Sequence, residues 1–253
     1  MTENGRTAVL TGAASPRGIG RATADRLARE GWAIAVLDLD ADQARAVAAE
    51  IGTAHGVQAL GVGADVSDQA AVDAAITQVE GGLPPIAGLA NLAGIASPVP
   101  FMNETVEGWD RVFAINMRGT FIVTQRVMRG MIERKRGRVV SVSSVSAQRG
   151  GGTYSKVAYS ASKAAIIGFT RALAREVGEH GITVNAVTPG PVDTDIMGGT
   201  LTDERKAAMA TGTLLGRVGT PEEVAALIAF LLSDDAGWIT AATYDINGGL
   251  QIS

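Results

Sequence analysis

The chain has 253 residues, no cysteine and a formal net charge of −4, and 46% of its residues are hydrophobic. This length is enough for one sizeable core, and the acidic balance excludes nucleic acid or an anionic membrane surface as an electrostatic partner. The absence of cysteine excludes disulfides and thiolate metal sites, and the two histidines, His55 and His180, stand apart, so no metal site is expected.

The first six residues are polar and contain no apolar core of a secretory signal. The longest apolar run, at 224–232, is too short to span a bilayer. We therefore expect a cytoplasmic protein in a reducing compartment, with neither a membrane nor a nucleic acid as its partner.

Short apolar segments alternate with helix-like segments along the whole chain. Strands are predicted at 7–10, 33–38, 58–61, 88–91, 137–142, 183–187 and 243–246. Helices are predicted at 19–30, 41–51, 69–79, 106–134, 159–179 and 221–232, the last opened by the capping sequence TPEE.

The second predicted strand reads AIAVL at 33–37, and such a continuously apolar strand is typical of a sheet that is covered on both faces. Strands of this kind that alternate with helices predict an α/β fold. We expect a single domain over 1–253, built as a doubly wound parallel sheet of the Rossmann type with helices on both faces.

The segment 190–217 departs from this pattern. Its three glycines between positions 198 and 212 and its weak strand signals predict a long loop with a short helix near 202–210. Loops of this length often close over an active site, so we predict a substrate lid near 190–217.

A glycine-rich turn follows the first predicted strand. Residues 11–20 read TGAASPRGIG and lead into the first predicted helix. Glycine lets the backbone approach a pyrophosphate, and a helix N-terminus favours its negative charge. Such a turn alone is equally consistent with a purely structural role, but its place between a buried strand and a helix favours dinucleotide binding.

Two charged residues bear on which dinucleotide is bound. Asp38 ends the second predicted strand, where a carboxylate can accept both ribose hydroxyls of the adenosine and would repel a 2′-phosphate. Asp40 is the better candidate for a helix cap here. Arg17, in the glycine-rich turn, favours the opposite choice because a cation can attract a 2′-phosphate. We expect Asp38 to dominate, so the predicted cofactor is NAD, with NADP possible.

Tyr159 and Lys163 stand four positions apart, which places them on one face of a helix. An ammonium close to the phenol would lower the tyrosine pKa from about 10 toward neutrality. A tyrosine tuned in this way can act as a general acid and base on an alcohol or ketone oxygen. Alone, the pair is also consistent with a solvated surface contact. Tyr154 is a weaker candidate because Ala158 occupies the position of the lysine.

These features, in this order, resemble the short-chain dehydrogenase/reductase family along essentially the whole chain. The matching motifs are the glycine-rich turn at 11–20, Asp65-Val66, NLAG at 91–94, Asn116 in INM, Ser144 in VSSV, Tyr159 with Lys163, PGPVDT at 189–194 and DINGG at 245–249.

The resemblance implies a nicotinamide dinucleotide site and four catalytic residues. Tyr159 would exchange the proton of the substrate hydroxyl, and Ser144 would orient the same oxygen. Lys163 would hold the nicotinamide ribose and lower the tyrosine pKa, and Asn116 would support a water path that carries the proton to solvent. The implied cofactor-binding residues are Gly12, Ser15, Arg17, Gly18, Ile19, Asp38, Asp65, Val66, Asn91, Ala93, Gly94, Tyr159, Lys163, Pro189, Gly190, Val192 and Thr194.

The sequence departs from the family pattern at several positions. Five residues separate Gly12 from Gly18 where three are usual, so residues 16–17 (Pro-Arg) resemble an insertion into the cofactor loop. Leu92 replaces the second asparagine of the bracing motif, and Ala241 stands where glycine is common.

The catalytic serine has two neighbours of the same type, Ser143 and Ser146. Successive strand residues point to opposite faces, so Ser143 and Ser144 cannot both face a cofactor. The family register favours Ser144. The connection from Ser144 to Tyr159 is slightly longer than in many relatives, which we expect to reshape the rim of the pocket.

The resemblance implies an NAD(H)-dependent oxidoreductase that interconverts a secondary alcohol and a ketone by hydride transfer. A 3-oxoacyl-[acyl-carrier-protein] reductase is one alternative, although Asp38 disfavours the phosphorylated cofactor that this activity usually employs. A sugar, polyol or steroid substrate is equally open.

An alternative of another class is a non-catalytic dinucleotide-binding sensor or scaffold, but such a protein would be expected to lose the serine, tyrosine or lysine that this chain keeps. The family is usually tetrameric. A homotetramer is therefore expected, with apolar faces of the predicted helices 106–134 and 159–179 as its interface.

Overall fold

Seven strands form one sheet in the computed structural model, which describes residues 5–152 and 154–252. The strands are β1 (Thr7–Thr11), β2 (Ala33–Asp38), β3 (Ala59–Gly63), β4 (Ile86–Asn91), β5 (Gly137–Val142), β6 (Ile182–Pro189) and β7 (Thr243–Ile246). Their order across the sheet is β3-β2-β1-β4-β5-β6-β7, and every neighbouring pair is parallel. The strand order reverses between β1 and β4, which confirms the predicted doubly wound sheet.

The helices connect successive strands and pack on the two faces of the sheet. They are α1 (Ile19–Arg29), α2 (Ala41–His55), α3 (Gln69–Gly82), α4 (Val106–Phe113), α5 (Gly119–Arg134), α6 (Ser146–Arg149), α7 (Val157–Val177), α8 (Asp203–Ala210) and α9 (Pro221–Leu232).

Side chains that alternate along β1 belong to two different cores. Leu10 is buried with residues of α1, α2 and α9 on one face, whereas Val9 is buried with residues of α3, α5 and the end of α7 on the other. A strand covered on both sides has no polar face to expose. The continuous apolar character of the strands therefore follows from this two-sided packing.

The predicted helix at 106–134 is wrong as a single α-helix. It is interrupted by a π-helical turn at Ala114–Arg118, which separates α4 from α5. The extra residue in a π-turn changes the direction of the side chains in that turn, and such turns are frequent at functional sites. Asn116, the asparagine of the predicted site, lies in the turn and is fully buried.

Other differences from the predicted elements are small. The helix that carries Tyr159 begins earlier, at Val157, because Lys156 is still extended and serves as its N-cap. The predicted short helix near 202–210 is present as α8, capped by the Thr202 side chain. The capping box of α9 is also present: Thr220 and Glu223 exchange hydrogen bonds of 2.9 and 3.3 Å between side chain and backbone. Within the described ranges, no helix has both the length and the apolar character needed to cross a bilayer.

Candidate active site

A cavity of about 1160 Å³ opens at the carboxyl ends of the central strands, the place where doubly wound sheets bind their ligands. Most of the residues that the sequence predicted for the site line this one cavity. They are Gly12, Ser15, Gly18, Ile19, Asp38, Asp65, Val66, Ala93, Gly94, Ser144, Tyr159, Lys163, Pro189, Gly190, Val192 and Thr194. Arg17, Asn91 and Asn116 do not line it.

The glycine-rich turn lies between β1 and the N-terminus of α1. Gly12 has a positive φ of 65°, and a Cβ there would lie 2.7 Å from the Cα of Ala93, so no other residue fits. α1 has no side-chain cap and no acidic residue in its first turn. Its first N–H groups therefore remain available to an anion, and the turn fits a pyrophosphate.

Asp38 carries the carboxylate at the end of β2. Its Oδ2 accepts a hydrogen bond from the backbone N–H of Ala14 at 3.0 Å, and its Oδ1 accepts one from Leu39 at 2.8 Å. A carboxylate has about four acceptor positions, so Asp38 can still accept from the two hydroxyls of a ribose. These two bonds hold the negative charge at the edge of the cavity.

Asp65 and Val66 follow β3 at the same edge of the sheet. Asp65 Oδ1 accepts from the backbone N–H of Ser67 at 2.8 Å and from its hydroxyl at 2.7 Å. These two hydrogen bonds lower the pKa of Asp65 below its ordinary value. Val66 is buried and supplies an apolar surface beside this carboxylate.

Tyr159 and Lys163 lie one turn apart on α7, and both line the cavity. The Nζ of Lys163 lies 5.8 Å from the centre of the Tyr159 ring and donates a hydrogen bond to the carbonyl oxygen of Val142 at 2.8 Å. The Ser144 hydroxyl interacts with the phenol from the end of β5. A serine that follows β5 and a lysine of α7 therefore both lie close to the Tyr159 phenol.

The structure does not show the expected lowering of the Tyr159 pKa by Lys163. Burial raises the pKa of Tyr159 above its ordinary value, and the hydrogen bond with Ser144 lowers it only in part. Burial also lowers the pKa of Lys163 from 10.5 to about 8. The four-residue spacing correctly places the two groups together, but it does not reveal that Lys163 is buried and that Tyr159 is half-buried.

The structure separates the roles of the neighbouring serines. The Ser143 hydroxyl is buried and donates to the backbone oxygen of Lys163 at 2.7 Å, which ties β5 to α7. The Ser146 hydroxyl hydrogen-bonds the Ser155 hydroxyl at 2.8 Å. Ser144 accepts from the Ser146 backbone N–H at 3.1 Å and keeps its own proton for a ligand or for Tyr159.

Asn116 lies behind the catalytic face rather than on it. Its Oδ1 accepts from the Ile95 backbone N–H at 2.8 Å, and its Nδ2 donates to the Ile95 carbonyl at 3.1 Å and to the Ser162 hydroxyl at 3.0 Å. A Cβ on Gly94 would lie 3.1 Å from this Oδ1 and 3.4 Å from the Nζ of Lys163. A glycine at position 94 therefore leaves space for the side chains of both Asn116 and Lys163, which a larger residue would crowd.

Two further predicted cofactor residues are held by other protein groups. Asn91 is buried, and its Nδ2 donates to the hydroxyls of Thr124 at 2.9 Å and Ser141 at 3.1 Å, so it braces β4 against α5 and β5. The guanidinium of Arg17 binds Asp193 and Asp195 at 2.6 and 3.1 Å. Both residues stand outside the cavity lining.

Several residues at the outer end of the cavity lie outside the predicted catalytic and cofactor-binding set, although those at 204–209 belong to the predicted lid segment 190–217. Tyr154 lines it together with Arg205 of α8, whose guanidinium lies 4.9 Å from the centre of the Tyr154 ring. Arg149, Glu204 and Met209 line the same end. No spacing marks Arg149 or Tyr154 as lining residues, and only the folded chain brings Arg205 of α8 beside the Tyr154 ring.

Within the described part of the chain, no cluster of three or more histidine, aspartate and glutamate side chains could hold a metal ion. An uncapped helix N-terminus, a carboxylate at the end of β2 and a lysine beside a tyrosine together fit a nicotinamide dinucleotide.

Comparisons with known proteins agree with this geometry. A family model described as enoyl-(acyl carrier protein) reductase matches residues 12–251. An uncharacterised short-chain type dehydrogenase/reductase of Sinorhizobium fredii is 40% identical over 252 residues, 100% of both chains. A 3-oxoacyl-[acyl-carrier-protein] reductase of Aquifex aeolicus is 38% identical over 246 residues, 97% of both chains. The crystal structure of a 3-oxoacyl-[acyl-carrier protein] reductase from Brucella melitensis superposes with a TM-score of 0.90 at 33% identity, covering 98% of this chain and 92% of that one.

Proposed function

Because the chain belongs to the short-chain dehydrogenase/reductase family, we propose that it is an NAD(H)-dependent oxidoreductase that interconverts a secondary alcohol and a ketone. The single observation that carries this proposal is that Ser144, Tyr159 and Lys163 meet in one cavity that Asp38 also lines. The bound nicotinamide supplies the hydride acceptor or donor. All other steps belong to residues of this chain.

Tyr159 is the proposed general acid and base. Because burial raises its pKa, the phenol is protonated at neutral pH and can donate its proton to a ketone oxygen as that oxygen gains negative charge. Ser144 donates a hydrogen bond to the same oxygen and orients it. The reverse reaction needs the phenolate, which nearby positive charge favours.

Lys163 is the proposed ribose-binding residue. The residue is 4% exposed, and its ammonium already donates to the Val142 carbonyl at 2.8 Å, which leaves two of its three protons for ribose hydroxyls. Asn116 supports the proposed site from behind, since it fixes the backbone of Ile95 next to Gly94. Thr194 and the backbone of Val192 are proposed to hold the carboxamide end.

The preference for NAD over NADP is proposed from two charges. The Asp38 carboxylate lies where the adenosine ribose would be bound, and a 2′-phosphate there would meet a negative charge. Arg17, the cation that could have offset this repulsion, is engaged by Asp193 and Asp195.

A second candidate substrate is a 3-oxoacyl thioester on an acyl carrier protein. The observation that favours it is similarity: one such reductase is 38% identical over 97% of this chain, and another superposes with a TM-score of 0.90. Reductases of this kind usually employ NADP(H), and the Asp38 carboxylate disfavours the 2′-phosphate of that cofactor. Sugars, polyols and steroids stay open as substrates of the same chemistry.

We also propose that the protein is a cytoplasmic homotetramer. The support is the resemblance to the family and the exposed apolar side chains Val106 and Phe121 at the outer surface of α4 and α5, which are 72% and 43% exposed. Light scattering coupled to size exclusion measures the mass directly, and a monomeric mass at micromolar concentration would contradict this assembly.

The proposed function is tested by a panel of alcohols, ketones and a 3-oxoacyl thioester, with NAD(H) and NADP(H), read by absorbance of the reduced cofactor. With a substrate from the panel, Tyr159→Phe should lower kcat by about a thousandfold, within the range of a lost acid–base group. The dissociation constant for NADH should change less than about threefold, the effect of one neutral hydrogen bond. Tyr154→Phe is the matched control and should keep most of the activity.

Two results would overturn the proposal in different ways. Full activity of the Tyr159→Phe variant would exclude Tyr159 as the acid and base. Tight NADH binding without turnover of any member of the panel would favour the non-catalytic sensor or scaffold.

A further inference from the structure

Arg17 connects two parts of the site that are far apart in sequence. Its Nη2 binds Oδ1 of Asp193 at 2.6 Å and its Nε binds Oδ1 of Asp195 at 3.1 Å, contacts that span 176 and 178 positions of the chain. The planar fork of a guanidinium suits two carboxylates at once, which a lysine ammonium does not.

The two acids flank Thr194, which is 6% exposed and lines the cavity. Thr194 has an extended backbone, with φ −133° and ψ 169°. The chain turns on both sides of this residue, since the Thr194 N–H donates to the Val192 carbonyl at 2.9 Å and a short 3-10 helix begins at Asp195. Asp195 lines the cavity beside Thr194, whereas Asp193 and Arg17 do not. Arg17 therefore binds the residues on both sides of Thr194 without lining the cavity itself.

A second cation joins the same network from the segment 190–217. The Nζ of Lys206, on α8, binds Oδ2 of Asp193 at 2.6 Å. The hydrogen bond to Lys206 and the charges of Lys206 and Arg17 keep the pKa of Asp193 below its ordinary value. Ala208 and Met209, which follow on α8, line the cavity. The glycine-rich turn, the Thr194 segment and α8 are thus linked through one aspartate.

We propose that Arg17 is a positioning residue that contacts neither cofactor nor substrate and holds the Asp193–Asp195 segment so that Thr194 faces the nicotinamide end of the site. This inference rests on the proposed function. It explains the two additional residues of the glycine-rich turn, Pro16 and Arg17, since the longer turn carries the guanidinium out of the cavity and over to the two acids.

The test separates the two halves of the cofactor. NADH and ADP-ribose share the adenosine and the pyrophosphate, but only NADH has the nicotinamide that Thr194 would meet. Arg17→Ala should raise the Kd for NADH by about three- to tenfold, the effect of one or two partly exposed ion pairs. The Kd for ADP-ribose, measured by calorimetry, should stay unchanged. Arg17→Lys should restore part of the NADH affinity, because an ammonium can reach one of the two carboxylates.

Arg21→Ala is the matched control. Arg21 lies one turn along α1 and binds Glu50 at 2.9 Å, away from the Thr194 segment. This variant should bind both ligands as the wild type does. Asp195→Asn leaves Arg17 in place and should shift NADH affinity in the same direction as Arg17→Ala, but by less.

Hydrogen exchange of the cofactor-free protein gives a readout that does not depend on the proposed function. Peptides covering 193–210 should exchange faster in Arg17→Ala than in the wild type or in Arg21→Ala. Equal loss of affinity for NADH and ADP-ribose would mean that Arg17 contacts the pyrophosphate, and unchanged exchange would mean that it holds nothing; either result overturns the inference. A wild type that binds no NADH, with faster exchange in Arg17→Ala, would reject the proposed function and leave the positioning role standing.

Discussion

Lys163 should make the folded protein less stable at neutral pH than a neutral side chain of the same length would. Burial lowers the pKa of this lysine from 10.5 to about 8, which corresponds to about 3 kcal/mol that opposes the charged form in the folded state. Lys163→Met removes that charge and fills nearly the same space. The variant also loses the 2.8 Å hydrogen bond from the ammonium to the Val142 carbonyl, and a hydrogen bond from a charged donor is worth about 1.5–3 kcal/mol. We therefore expect Lys163→Met to be more stable than the wild type by about 1 kcal/mol at pH 7.

The free energy of unfolding of the wild type should increase with pH, because Lys163 loses its buried charge. The pKa of Lys163 is lower in the folded protein than in the unfolded chain, so the unfolded chain binds more protons between pH 8 and 10.5. The stability of the wild type therefore rises with pH in this window, and a neutral methionine has no such dependence. The advantage of Lys163→Met should disappear by about pH 10, where the wild type has recovered about 2–3 kcal/mol relative to the variant.

The assay is urea unfolding of both proteins at pH 7, 8.5 and 10, at one protein concentration, followed by circular dichroism. Lys156→Met is the control, because this lysine lies at the half-buried N-terminus of the same helix. A difference between wild type and Lys163→Met that is the same at all three pH values would refute the reasoning, since the charge would then not be buried. The variant should have no measurable turnover, so a gain in stability would accompany the loss of a catalytic group.

Two further predictions concern cofactor choice and helix termination. Asp38→Asn should lower the ratio of kcat/KM for NAD to that for NADP by about tenfold or more, because it removes a repulsion of at least about 1.4 kcal/mol. Asp40→Asn alters only the cap of α2 and should leave the ratio unchanged. An NADP preference in the wild type would contradict the role of Asp38. Lys135 ends α5 with a left-handed backbone, φ 52° and ψ 38°, so Lys135→Gly should stabilise the fold by about 1 kcal/mol and raise Tm by about 2–4 °C. Lys135→Ala keeps the same backbone strain, and an equal gain in that variant, measured by calorimetry, would show that the strain is not the cause.

The sequence was sufficient for the fold class and for the inner end of the site. Continuously apolar strands such as 33–37 require cover on both faces, and the alternation with helices then leaves a parallel sheet as the economical arrangement. Gly12, Asp38, Asp65 and Tyr159 each follow a predicted strand or open a predicted helix. Because parallel strands end at the same edge, the predicted elements bring Gly12, Asp38 and Tyr159 together, whereas Asp65 was expected from the family resemblance alone.

Sequence pattern could not predict the contacts of a side chain whose partner lies far away along the chain. Arg17 was expected at the cofactor, but it binds Asp193 and Asp195, which lie 176 and 178 positions away along the chain. Asn116 was expected in a continuous helix, but its three hydrogen bonds to Ile95 and Ser162 coincide with a π-turn that no propensity indicates.

The sequence alone determined which chemical groups the chain carries and at which strand end each one lies. Hydrophobic periodicity and motif spacing are properties of neighbouring residues, so they can be read without the fold. What only the tertiary structure decided is the state of those groups. The phenol of Tyr159 has a raised pKa and the ammonium of Lys163 a lowered one because the packed sheet and helices take much of the surrounding water away from the half-buried phenol and nearly all of it from the buried lysine. That loss of solvation comes from many residues at once, and no spacing between two of them contains it.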